Sequence, residues 1–72
     1  MKQKILELLS NQSGRNDIQD NDRLFEDLGI SSLGMMMLLL DAEQALPVTI
    51  DFSKLVNVKT VGQLIDAIMS MG

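Results

Sequence analysis

The chain has 72 residues, a net charge of −4, and no histidine, cysteine, tryptophan or tyrosine. That length fits one small domain with a marginal core, spanning residues 1–72. The missing residue types exclude disulfides, thiolate metal sites and histidine base catalysis, and the acidic balance disfavours nucleic acid.

Ile5, Leu8 and Leu9 follow helical spacing, with Lys2, Lys4 and Glu7 off the stripe, so residues 1–10 are predicted to form an amphipathic helix. Asn11-Gln12-Ser13-Gly14 is a breaker cluster expected to end it. Gln3 and Glu7 interrupt any apolar run of the signal-peptide kind. The run from Met35 to Leu40 is too short to cross a bilayer, so a cytoplasmic chain without membrane insertion is expected. Arg15 to Asp27 is polar and acidic, and Ile18, Leu24 and Phe25 are expected to anchor it as an ordered loop. Asp20 and Asp22 have calcium-loop spacing, but the turn glycine and distal glutamate of such a loop are not in place, which leaves a solvated acidic loop.

Leu28-Gly29-Ile30-Ser31-Ser32 leads into a second helix, predicted over Ser32 to Leu46 and stopped by Pro47. Ser31 suits the N-cap. Gly34 falls at the third helical position, where a capping box takes Glu or Gln, and lowers helix propensity by about 1 kcal/mol relative to Ala. At 100° per residue, Met35, Leu38, Leu39, Ala42 and Leu46 make one apolar stripe, the natural core face. Met36, Leu40 and Glu43 share a side with Ser32, flanked by Leu33, Met37 and Gln44. A domain this small cannot bury both stripes, and an exposed apolar patch marks a partner site, for which methionine is adaptable.

Val48-Thr49-Ile50 reads as loop. Asp51 is expected to cap a short helical turn to about Val56, with Phe52 and Leu55 facing in. Thr60 and Gln63 form a T-x-x-Q capping box ahead of Val61, Leu64, Ile65 and Ile68 at helical spacing. The fold class expected is all-α, a bundle of three main helices plus one short helix, with a long loop between helices one and two.

Ser32 is the residue that draws attention chemically. A nucleophilic serine needs a base and an oxyanion hole. The chain has no histidine, and no lysine lies on this face. Catalysis by Ser32 is therefore not expected, whereas a helix N-terminus does suit a phosphate ester on an exposed hydroxyl. A capping or first-turn serine is the plainer alternative on composition alone.

Leu28-Gly29-Ile30-Ser31-Ser32-Leu33 resembles the Leu-Gly-x-Asp-Ser-Leu signature of acyl carrier proteins. Phe25-Glu26-Asp27, the helix to Leu46, the proline after it, and Thr60-Val61-Gly62-Gln63-Leu64-Ile65 also resemble family landmarks. The resemblance implies that Ser32 bears a 4′-phosphopantetheine arm, moved from coenzyme A by a phosphopantetheinyl transferase. The arm would hold acyl or aminoacyl groups as thioesters for loading and condensing enzymes of fatty acid, polyketide or related biosynthesis. It further implies a monomeric, non-enzymatic phosphoprotein that docks partners through Leu33, Met36, Met37, Leu40 and Glu43. The family's usual aspartate is Ser31 here, and Gly34, Met37 and Gln44 stand where acids are frequent. These departures point to a specialised member whose partners read apolar shape more than charge. The other readings are a peptidyl or aminoacyl carrier of a nonribosomal-peptide type, and a non-covalent helical adaptor with Ser32 unmodified.

Overall fold

In the computed structural model, which describes residues 2–71, the elements are α1 (Lys2–Ser13), α2 (Ser32–Ala45), a 3₁₀ turn (Phe52–Leu55) and α3 (Val61–Met71). This is the expected all-α bundle with its long α1–α2 loop. Met1, assigned to the first helix on sequence grounds, lies outside the described residues. Ile5 and Leu9 of α1, Leu38, Leu39 and Ala42 of α2, and Val61, Leu64, Ile65 and Ile68 of α3 meet in one buried core. Their spacing puts one face of each helix inward.

α1 runs one turn past its expected end. Asn11, Gln12 and Ser13 stay helical, and Gly14 stops the helix at φ 75°, donating its N–H to the Ser10 carbonyl at 2.8 Å. The polar trio lowers propensity only mildly, whereas the left-handed residue that ends a helix calls for glycine.

The long loop is held by backbone pairing. Leu24 N–H donates to the Lys59 carbonyl at 2.9 Å, and Arg23 and Thr60 form an isolated antiparallel bridge. Asp22 and Asp20 carbonyls accept from Val61 and Gly62 at 2.9 and 2.8 Å. Gln63 N–H donates to Thr60 Oγ1 at 3.3 Å, while Gln63 Oε1 accepts from Thr60 N–H at 3.2 Å and Lys59 N–H at 2.8 Å. The amides that open α3 thus all have partners, supplied by the loop and the expected capping box.

Two aromatic expectations are overturned. Leu24 is buried and Ile18 partly so, but Phe25 is half exposed. Residues 23–28 form a turn in which Asp27 and Leu28 both donate to the Arg23 carbonyl, so Leu24 turns in and its neighbour turns out. Phe52 is also half exposed, because Ile50 takes the core place just before the 3₁₀ turn, and Leu55 alone of that turn packs on the core. Val48 and Ile50 are buried although they stand in loop. Asp51 caps the turn as expected: its Oδ1 accepts from Ser53 Oγ at 2.6 Å and Ser53 N–H at 3.1 Å. These bonds hold its carboxyl below its ordinary pKa.

Thr60→Ala is expected to lower stability by about 1 kcal/mol, or about 4–8 °C in Tm for a domain of this size. An unchanged Tm in a calorimetric scan would mean that the Asp20 and Asp22 carbonyls and Gln63 hold the start of α3 without the Thr60 hydroxyl.

Candidate functional site

The site is built at the junction of the loop and α2. Leu28 and Ile30 are buried and fix the approach of the chain, and Gly29 between them turns it at φ 69°. A residue with a side chain is strained there, so glycine is needed. Ile30 N–H donates to the Leu24 carbonyl at 3.0 Å, tying the junction to the loop.

The two adjacent serines have separate environments. Ser31 is the N-cap, with extended backbone, and its Oγ accepts from Gly34 N–H at 3.1 Å. Ser32 is the first helical residue and is exposed. Among the described residues its hydroxyl has no hydrogen-bond partner, and neither Ser32 N–H nor Leu33 N–H has a protein acceptor. In α3 the loop occupies the corresponding amides; in α2 they are left to solvent. An oxyanion at Ser32 Oγ would meet open donors and the positive end of the helix dipole. An accessible hydroxyl beside unoccupied amides fits a phosphate ester.

Beyond Ser32, α2 divides lengthwise. Leu38, Leu39, Ala42 and Leu46 are buried, and Met35 is partly so. Leu33, Met36, Met37 and Leu40 are 69%, 56%, 51% and 50% exposed. Glu43 is half-buried, at the margin between this strip and the core face. Asp41 and Gln44 are exposed, and α2 has no acidic residue in its first turn.

A small cleft of about 120 Å³ opens between the α1–α2 loop, α2, the 3₁₀ turn and α3, lined by Leu24, Phe25, Met35, Leu55, Val56, Val58 and Leu64. Phe25, Val56 and Val58 also line a second cleft of about 480 Å³, between the α1–α2 loop and the start of α3, with Arg23, Lys59 and Gln63. The sequence reading missed this cleft. Its signal was the pair of large apolar residues in irregular backbone, Phe25 and Val56, which edge an opening instead of filling the core.

A model of the family described as "Phosphopantetheine attachment site" matches residues 3–68. No curated protein matches the chain. Among the described residues, no helix is long and apolar enough to cross a membrane.

Met37→Glu is expected to leave Tm within a few degrees of the parent, as at an ordinary surface position. Leu38→Ala, one residue on, is expected to remove about 2–5 kcal/mol. Similar losses from both would mean that the strip is packed in solution.

Proposed function

Since the chain belongs to the phosphopantetheine attachment-site family, matched over residues 3–68, we propose that its 4′-phosphopantetheine is esterified to Ser32 and that the chain works as a carrier and not as a catalyst. The single observation behind the assignment to Ser32 is the contrast between the two serines. Ser31 spends its oxygen on the cap, while Ser32 presents an unengaged hydroxyl from the first turn.

In this reading a transferase brings coenzyme A to the α2 junction. Ser32 Oγ forms the new bond to the phosphorus that bears pantetheine, the pyrophosphate bond breaks, and the nucleotide portion leaves. The serine proton passes to a base of the transferase, because this chain has no histidine to take it. The attached group supplies a terminal thiol that holds acyl or aminoacyl cargo as a thioester. The chain's own part is placement. The Ser31 cap and buried Ile30 fix the turn, and the amides of Ser32 and Leu33, which have no protein acceptor, would be available to the phosphate.

Leu33, Met36, Met37 and Leu40 form the surface that partner enzymes dock, in the helix-in-groove manner, with Glu43 at the edge. Four roughly half-exposed side chains make a patch on the order of 400 Å². That is well short of the roughly 800 Å² per partner of a standard stable interface. The patch suits repeated brief encounters by a monomer. With no acid in the first turn of α2, association here depends on apolar fit more than on charge steering. This favours a specialised acyl, polyketide or peptide-type pathway over a housekeeping fatty acid synthase. Apolar cargo has a place in the small cleft beside Met35. Leu38, Ala42, Leu46 and Ile65, the core residues that would have to part for a buried chain, are all buried. The whole chain is read as one carrier domain acting in the cytoplasm.

Co-expression with a broad-specificity phosphopantetheinyl transferase, followed by intact-mass measurement, tests the attachment. The parent chain is expected to gain the mass of one phosphopantetheine, and Ser32→Ala none. A gain that survives in Ser32→Ala and vanishes in Ser31→Ala would move the site by one residue. An unmodified parent with several transferases would favour a non-covalent adaptor.

A further inference from the structure

Gly34 sits in the first turn of α2 and is buried. It is a poor choice for that place by local rules. Alanine is a better helix former, and Glu or Gln would close a capping box, as Gln63 does at the start of α3. Its φ is negative, so no left-handed backbone demands it.

Space is what calls for glycine here. A Cβ at Gly34 would lie 3.0 Å from Gln12 Nε2, 3.3 Å from Ile30 Cγ2 and 3.4 Å from Ser31 Oγ. Gln12 reaches this place because α1 continues one turn beyond its expected end. Ile30 is 3% exposed and packed in the core, so it cannot give way without repacking. Ser31 Oγ is the oxygen that accepts from Gly34 N–H. An added methyl would be pressed between the last turn of α1 and the cap. The tip of Gln12 and the cap turn are the parts able to move.

We propose that Gly34 is a positioning residue for attachment at Ser32: the lack of a side chain there lets the serine-bearing turn settle closely against Gln12 and Ile30. That close packing governs how the Ser32 hydroxyl is offered to the transferase. This rests on the reading of Ser32 as the attachment point. The phosphoryl acceptor must be held in a narrow geometry, and a misplacement of about 1 Å can cost on the order of 100-fold in rate.

The test uses the whole chain with a broad-specificity transferase and coenzyme A. It follows kcat/KM of loading by intact mass, with Tm recorded in parallel, for Gly34→Ala, Gln12→Ala and the double variant. Gly34→Ala is expected to load on the order of 10-fold more slowly with a Tm within a few degrees of the parent, the helix preference of alanine offsetting the crowding, and Gln12→Ala is expected to load at the parent rate. The double variant, with the closest obstructing atom removed, is expected to recover most of the rate. Loading of Gly34→Ala at the parent rate would overturn the proposal. So would a loss that follows a fall in Tm and persists in the double variant. These outcomes differ from failure of the Ser32 reading, in which Ser32→Ala still gains mass and both proposals fall together.

Discussion

α2 is apolar around most of its circumference, and a domain of 72 residues can cover only one side of it. Leu38, Leu39, Ala42 and Leu46 close the core against Ile5 and Leu9 of α1 and Leu64, Ile65 and Ile68 of α3. That packing fixes the rotation of the helix about its axis. Once the rotation is set, Leu33, Met36, Met37 and Leu40 must face outward, and Ser32 is presented at the exposed end of the same rod. Site and surface are therefore consequences of how the core is filled.

The N-termini of α2 and α3 show how one device serves different ends. At α3 the long loop lays the Asp20 and Asp22 carbonyls over the first amides, and Gln63 closes the box. This end is structural, and it also anchors the loop. At α2 only the Ser31 oxygen serves as cap, and Gly34 contributes no side chain to the turn. Such an end is less well satisfied internally, and it leaves donors for an oxyanion. The acidic loop keeps its charges at the periphery, where Arg23 pairs with Glu26 at 2.7 Å and Lys2 with Asp20 at 3.5 Å. Exposed pairs of this kind add little to stability.

The elements whose signals are local were legible in the sequence. Val61, Leu64, Ile65 and Ile68 repeat at helical spacing behind a capping box, and both features operate within a few residues. Ser31 as cap and the α2 boundaries near Ser32 and Pro47 were equally direct. Phe25 and Phe52 were misplaced because size and hydrophobicity were read as burial, whereas direction in irregular backbone depends on which neighbour has already turned inward. Leu24 and Ile50 hold those core places. The pairing of Arg23 and Leu24 with Thr60 and Lys59 joins segments distant in sequence, and no residue pattern announces it. The extra turn of α1 was hidden because Asn, Gln and Ser are individually weak breakers, and the meaning of Gly34 depends on that turn.

The central claim is that the outer face of α2 is the part of the chain that partners touch. Methyl-resolved NMR with labelled methionine and leucine, during titration with a phosphopantetheinyl transferase, measures this most directly. The account requires shifts or broadening at Leu33, Met36, Met37 and Leu40, with Leu38, Leu39 and the α1 methyls of Leu8 and Leu9 unmoved. A response centred on α1 or on Met69 of α3, with the α2 strip silent, would contradict it.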